Sequence, residues 1–317
     1  MRCSSWGSLV VLVAALGFSR AAQAGNAWGA DYFPNSALTT QDGQVVHFYD
    51  DLLKGKNVAI NLIYTRCTAS CPLETAKLTQ VYKLLNGRVG KDIFFYSISI
   101  DPKHDTPEAL KAYTKKFKVG PGWTFLTGSK EDIREISKKL GLSSLTDGGN
   151  KDGHQPTLMI GNEPSGQWMM NSAVDNPRFL TELMTKFYDA IPQSTPAAAK
   201  IEPMAPSAAE LVLSDEGGQK FQSRCSACHT IGGGDAIGPD LANVGARRER
   251  TWLVNYILEP DRMLAQHDPI AMTLFGRYKT VRMPNLSLTL EDTEKVIKYI
   301  QTQSKAAGTH ASGDAHP

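Results

Sequence analysis

The sequence has little net charge and no long apolar run. Its 317 residues hold 34 Lys and Arg against 32 Asp and Glu, which gives no electrostatic signature for binding nucleic acid or anionic lipid. The apolar stretch Leu9–Leu16 is well short of the roughly 18 to 20 residues that a membrane span needs. Because the hydrophobic fraction of 41% and the charged fraction of 21% are ordinary for a soluble globular protein, motifs must indicate the function.

The first 24 residues have the three-part pattern of a secretory signal peptide. Arg2 precedes the apolar run Leu9–Leu16, and Ala22-Gln23-Ala24 follows it, so we predict cleavage after Ala24 and export to the periplasm. The other reading is an uncleaved anchor, but the apolar run is too short to span a membrane. The mature chain would then have no integral membrane span.

Cysteine is scarce, and its spacing is informative. Of five cysteines, Cys3 would leave with the signal peptide, and the other four form two close pairs, Cys67 with Cys71 and Cys225 with Cys228. Each pair lies in its own half of a chain predicted to enter an oxidising compartment.

The length allows two domains, and a Pro- and Ala-rich stretch over 191–209 separates them. In the first half, apolar runs predict buried strands over 58–64 and 93–100, with a helix between them. Further helices are predicted over 130–140 and 177–188, a strand over 157–160, and a helix start at Asp105-Thr106-Pro107-Glu108. This alternation predicts a three-layer α/β domain.

The second half is predicted to be mainly helical. Thr289 and Asp292 approximate a capping box, so a terminal helix should run from there to about Gln303. We therefore predict five segments: a signal peptide over 1–24, an α/β domain over 25–191, a linker over 192–207, an all-α domain over 208–304 and a disordered tail over 305–317.

The segment Cys225-Ser226-Ala227-Cys228-His229 has the spacing of covalent c-type haem attachment. Two thiols on one turn can reach the two vinyl groups, and the following His is positioned for the iron. A zinc half-site or a disulfide is the alternative, but this half has no second Cys pair to complete a zinc site. Met283, just before Pro284, is our choice for the sixth ligand. The alternatives are Met263, Met272 and His267.

Residues 208–304 resemble the class I cytochrome c family. The matching pieces are the haem motif, the loop Ile237-Gly238-Pro239-Asp240-Leu241 and the stretch from Met283 to Ile300. The resemblance implies covalent haem c on Cys225 and Cys228, iron ligation by His229 and Met283, and packing of the Pro239 loop against His229.

Cys67 and Cys71 follow a predicted buried strand and open a predicted helix. A helix N-terminus lowers thiol pKa values, so both thiols are expected to favour the thiolate. Two thiolates at this spacing can close a disulfide or hold a soft metal such as Cu(I). His154, before a predicted strand, is a candidate third ligand. By spacing alone it is more often a loop histidine, and such a Cys pair is more often a structural disulfide.

Residues 31–191 resemble the Sco/SenC family of thioredoxin-fold proteins. The matching pieces are Gln41-Asp42-Gly43, Gly55-Lys56, Tyr64-Thr65 before the CxxxCP motif, Ser99-Ile100-Asp101-Pro102 with Asp105-Thr106-Pro107, and the late His154. The resemblance implies a copper ion held by Cys67, Cys71 and His154. One departure is Thr68, because Sco proteins commonly have Pro after the first Cys. The absence of a membrane span is a departure from many relatives.

Three functions follow as hypotheses. The first is a copper chaperone that assembles the dinuclear copper centre of cytochrome c oxidase, with the haem exchanging electrons. Its partners would be an oxidase subunit or another copper acceptor, and redox proteins. The second is a thiol-disulfide oxidoreductase in which Cys67 and Cys71 are catalytic. The third is a docking domain with a structural disulfide, fused to an electron shuttle. No residue marks a peroxidatic cysteine, and whether the chain is an enzyme stays open.

Overall fold

The computed structural model describes residues 28–142, 155–189, 216–278 and 281–310. The predicted signal peptide, the predicted linker and His154 lie outside the described residues. Within those four ranges, no helix is both long enough and apolar enough to cross a membrane.

Seven strands of the first region form one mixed sheet, in the order β2-β1-β5-β4-β3-β6-β7. The strands are β1 (Ala37–Thr40), β2 (Val45–His47), β3 (Asn57–Ile63), β4 (Ile93–Ser99), β5 (Trp123–Gly128), β6 (Thr157–Asn162) and β7 (Gln167–Ser172). The central strands β3, β4 and β5 are parallel neighbours, whereas β6 and β7 continue the sheet in antiparallel pairs. Every residue of β3 is buried, as expected for a strand covered on both faces.

Helices cover both faces of this sheet. They are α1 (Ser70–Leu84), α2 (Pro107–Lys116), α3 (Lys130–Lys139) and α4 (Pro177–Asp189), together with a π-helical turn over Phe48–Leu53. Ala59 and Ile63 of β3 pack in the core that contains α1, α2 and α4, whereas Val58 and Ile60 pack in the core that contains α3 and the π turn. The domain therefore has the three layers that the alternating pattern predicts.

The second region is helical in its described part. Its helices are α5 (Glu216–Arg224), α6 (Val244–Arg247), α7 (Arg250–Leu258), α8 (Pro260–Ala265), α9 (Pro269–Arg277) and α10 (Leu290–His310). The rings of Phe221 on α5 and Tyr299 on α10 lie 5.5 Å apart, so the first and last helices of the region pack together. The predicted order, an α/β domain followed by an all-α domain, is confirmed.

Most predicted elements are present within a few residues of the predicted bounds. The capping box is confirmed, because Asp292 N donates to Thr289 Oγ1 at 3.1 Å and Thr289 N donates to Asp292 Oδ2 at 3.4 Å. The sequence patterns do not predict four of the strands: β1, β2, β5 and β7. The tail predicted to begin at Lys305 is wrong as far as His310, because α10 continues to that residue. Residues 311–317 lie outside the described ranges.

Candidate functional sites

The first candidate site is the cysteine pair at the start of α1. Cys67 precedes the helix, and Cys71 is its second residue. Both are free thiols and almost wholly buried, with exposed fractions of 7% and 0%. The Cys71 thiol donates a hydrogen bond to the Cys67 sulfur, so the two sulfurs are neighbours.

The two thiols have opposite pKa shifts. The hydrogen bond from Cys71 is the main cause that lowers the pKa of Cys67 to about 6, against the opposing effect of burial. Burial is the main cause that raises the pKa of Cys71 well above its ordinary value. The prediction that the helix N-terminus lowers both pKa values is therefore wrong for Cys71, where the loss of solvation outweighs the helix dipole.

A buried aspartate holds the loop that leads to the cysteines. Asp105 is fully buried and accepts hydrogen bonds from Thr65 N at 3.1 Å, from Thr65 Oγ1 at 2.5 Å and from Ser99 Oγ at 2.5 Å. Thr65 precedes Cys67 by two residues in the loop over 64–69, called the cysteine loop below. Asp105 therefore fixes the start of the cysteine loop to the end of β4. In the sequence, Asp105 belongs to a predicted helix start and to the Sco/SenC resemblance, but neither assigns its carboxylate a role in holding the cysteine loop.

A chain of buried polar side chains lies beneath the same site. Asn61 Nδ2 donates to Glu74 Oε2 at 3.3 Å, Ser97 Oγ donates to Asn61 Oδ1 at 2.7 Å, and Trp123 Nε1 donates to Ser97 Oγ at 2.9 Å. Burial raises the pKa of Glu74 to about 8. Sequence reasoning missed Glu74, although its place three residues after Cys71 on a helix puts both side chains on adjacent positions of one face.

The third predicted copper ligand is not placed, because His154 lies outside the described residues. Among the residues that the structure does describe, no group of three His, Cys, Asp or Glu side chains could hold a metal ion. The two neighbouring sulfurs of Cys67 and Cys71 suit a soft ion such as Cu(I), but two thiolates alone do not complete a usual coordination set.

The second candidate site is a cavity in the helical region. Cys225, Cys228 and His229 line it, and Met283 lines it too. The alternatives Met263, Met272 and His267 are not among the lining residues. The structure thus brings the predicted attachment cysteines, the predicted proximal His and the first-choice Met to one cavity, and it leaves the three alternatives outside.

The ring of His229 is held in one orientation. Its Nδ1 lies 2.8 Å from Pro239 O, and because a carbonyl oxygen can only accept, Nδ1 must carry the proton and Nε2 has the free lone pair. Gly238 lies against the same ring, and a Cβ at that position would approach His229 Cε1 to 2.5 Å. An imidazole fixed in this way beside two thiols fits an attached haem.

Asp240 organises the loop that holds His229. Its carboxylate accepts hydrogen bonds from Gly232 N at 3.0 Å, Ala242 N at 2.7 Å and Thr230 Oγ1 at 2.8 Å. Burial would raise the pKa of Asp240, but these hydrogen bonds outweigh burial and lower it to about 2. The carboxylate therefore stays charged and keeps the loop closed over the physiological pH range.

Four arginines line the cavity, and sequence reasoning missed them: Arg247, Arg248, Arg277 and Arg282. Arg247 Nη2 donates to the carbonyl oxygens of Asp240 and Ala242 at 2.8 and 2.9 Å, so this side chain is fixed to the Pro239 loop. Guanidinium groups suit carboxylates, which a haem presents as its two propionates. Only a clustering of Arg in the sequence could have indicated them.

Comparison with family models identifies both regions. Residues 26–160 match the SCO1/SenC family, and residues 214–304 match the cytochrome c family. The chain thus joins a region that matches the SCO1/SenC family to a region that matches the cytochrome c family, and both predicted resemblances are confirmed.

Proteins of other organisms are similar to about a third of this chain. An SCO2-like protein of Rickettsia conorii is 38% identical over 103 residues, covering 32% of this chain and 48% of the relative. The SCO1 protein homolog of Bacillus subtilis is 35% identical over 101 residues, covering 31% of this chain and 51% of the relative. The chain spans about half the length of these relatives.

Solved structures also resemble this chain. A SCO1/SenC family lipoprotein from Bacillus anthracis is 28% identical with a TM-score of 0.42, covering 50% of this chain and 94% of the other. Yeast Sco1 with copper bound is 22% identical with a TM-score of 0.41, again covering 50% and 94%.

Proposed function

We propose that this chain is an exported copper-binding and haem-containing redox protein. Its SCO1/SenC region would bind copper as cargo at Cys67, Cys71 and His154, and deliver it to the dinuclear copper centre of cytochrome c oxidase or to another acceptor. Its cytochrome c region would exchange electrons with redox partner proteins. The predicted cleavage after Ala24 would place the mature chain in the periplasm.

The observation that carries the copper role is the pair of neighbouring free sulfurs at the start of α1, one of them ionised near neutral pH. Thiolates bind Cu(I) tightly, and a pKa of about 6 means that Cys67 is mostly ionised at pH 7, before any metal binds. A ligand on a loop, which is where His154 is predicted, permits the exchange that a carrier needs.

The cavity supports the haem role. Cys225 and Cys228 would form the thioether bonds, His229 and Met283 would ligate the iron, and the lining arginines would receive the propionates. A haem held there supplies one-electron redox chemistry. The chain's own contribution is to orient His229 through Pro239 and to surround the site with apolar side chains.

One observation favours a second function, thiol-disulfide exchange. An acidic Cys67 beside a protonated Cys71 is the asymmetry that a dithiol enzyme uses. The Cys67 thiolate would attack a substrate disulfide and release one substrate thiol, and Cys71 would then attack the mixed disulfide, closing the Cys67–Cys71 disulfide and releasing the second substrate thiol. His154 has no necessary part in that chemistry.

The deciding experiment is the metal and haem content of the mature protein expressed in the periplasm. Wild type is compared with His154→Ala and with the double variant Cys67→Ser/Cys71→Ser. We expect about one covalent haem in every form and about one copper in the wild type alone.

Reductase assays on the same proteins separate the two functions. A His154→Ala protein that loses copper but keeps dithiol activity would place His154 in copper binding only. Haem without copper in every form, together with reductase activity that the double variant Cys67→Ser/Cys71→Ser loses, would replace the chaperone role by thiol-disulfide exchange.

A further inference from the structure

Helix α1 contacts residues 222–228 of its own chain, which include Cys225 and Cys228 and are called the haem-attachment segment below. Lys77 Nζ donates to Gln222 O at 3.2 Å, and Gln80 Nε2 donates to Ser226 O at 3.1 Å. Gln222 lies three residues before Cys225, and Ser226 lies between Cys225 and Cys228. Two side chains three residues apart on one helix face therefore bind two backbone carbonyl oxygens of one short segment.

Burial at this contact is unusual for a lysine. Lys77 is only 1% exposed, whereas lysine side chains are almost never fully buried unless they are paired. The charged groups that act on Lys77 include Asp175, which favours the ammonium, and Arg224, which opposes it. Its hydrogen bond to Gln222 O reaches the cytochrome c region, so docking of that region contributes to its pairing.

Apolar packing continues across the same contact. One core contains Cys71 and Ala76 of α1 and Met184 of α4, and it also contains Phe221 and Cys225 of the cytochrome c region. The haem-attachment segment thus lies beside the layer of helices that covers the sheet. Apolar burial of this kind stabilises docking without needing a defined linker.

We infer that the α1 docking face, defined by Lys77 and Gln80, is a binding surface for segment 222–228 of the same chain, so that the two regions act as one docked body. The purpose of this docking rests on the proposed function of the two sites. Cys71 and Lys77 are six residues apart on α1, which is about 9 Å along the helix axis. Cys71, one of the proposed copper ligands, and the α1 docking face that holds the haem-attachment segment would then lie on one rigid helix.

The test uses an amide-to-carboxylate exchange in the full mature chain with haem attached. Gln80→Glu places a carboxylate opposite Ser226 O and removes the donor, so it should separate the two regions. Asn86→Asp is the matched control, because it makes the same chemical change at an exposed position just after α1. Lys77→Glu is a stronger second variant, and its thermal unfolding is followed to confirm that the sheet domain is folded.

Small-angle X-ray scattering at several protein concentrations gives the readout. We expect a radius of gyration of about 19 Å for wild type and Asn86→Asp, the value for one compact body of this length, and a clearly larger one for Gln80→Glu. A wild type as extended as Gln80→Glu, or a Gln80→Glu protein as compact as wild type, would overturn the inference. So would a wild-type mass that doubles with concentration and falls back in Gln80→Glu, because the face would then bind a second copy.

Copper content of the same samples keeps the two proposals apart. If wild type holds no copper but the difference in scattering between Gln80→Glu and Asn86→Asp is present, the copper role fails and the docking face stands. If wild type holds copper and that difference is absent, the docking face fails and the copper role stands.

Discussion

Cys67 and Cys71 share one environment but differ in charge, because one hydrogen bond between them stabilises a single thiolate. The pKa of Cys67 is lowered to about 6 chiefly by the hydrogen bond from Cys71. In the copper-free protein, alkylation of Cys67 should therefore rise as pH increases through about 6 and level off above it. In Cys71→Ala the donor is absent, so the midpoint should move up towards the value of about 8.5 for an ordinary thiol. Mass spectrometry of singly alkylated protein gives both curves, and equal midpoints would contradict this account.

A glycine beside the predicted iron ligand provides a second prediction for a single residue. In Gly238→Ala the new Cβ would lie 2.5 Å from His229 Cε1, so the ring must move and its hydrogen bond to Pro239 O must weaken. We expect a loss of about 1–3 kcal/mol in the unfolding free energy of the cytochrome c region, with the haem still covalently attached.

The chain contains its own control for that substitution. Gly276 lies on α9, and nothing lies within 4 Å of the position that a Cβ would occupy there, so Gly276→Ala should be neutral or slightly stabilising. Thermal unfolding followed at the haem absorption measures both variants. Equal effects of the two substitutions would mean that the Gly238 contact does not restrict His229.

At the scale of the element, the cysteine loop depends on its attachment to β4. Asp105→Ala would leave Thr65 N, Thr65 Oγ1 and Ser99 Oγ without their acceptor, at a cost of about 1–3 kcal/mol for each donor that finds no water. Urea unfolding should show this loss, and alkylation of Cys67 should become faster as the loop opens. Asp42→Ala is the control, because its exposed ion pair with Lys111 contributes at most about 1 kcal/mol. Similar losses in the two variants would show that Asp105 does not anchor the loop.

The sequence predicts the elements that are buried and continuous, and it misses those that depend on neighbours. Strand β3 is predictable because it is a mostly apolar run that is buried throughout, whereas β7 has only partly buried or exposed positions and gains its pairing from β6. The CxxCH motif is local, so spacing alone is enough to predict its residues as a candidate haem-attachment site. Asp105 and Glu74 act through contacts that only the folded sheet creates, and the pKa of Cys71 depends on burial, which spacing does not reveal.

At the scale of the whole molecule, the docking face and the linker make separable contributions to holding the two regions together. If the hydrogen bonds of Lys77 and Gln80 and the shared core hold the regions, the predicted linker over 192–207 should only set an effective concentration. Doubling the length of a connecting segment costs only about 0.6 kcal/mol in closure entropy.

Duplicating residues 192–207 should therefore leave the radius of gyration almost unchanged, whereas Gln80→Glu with the natural linker should increase it. Scattering from the duplicated chain, alone and combined with Gln80→Glu, measures the two contributions. Because segment length and the docking face act on one docking equilibrium, the variant that combines both changes should have the largest radius of gyration. If duplication alone increased the radius of gyration clearly, the length of this segment, rather than the α1 docking face, would keep the cytochrome c region beside α1.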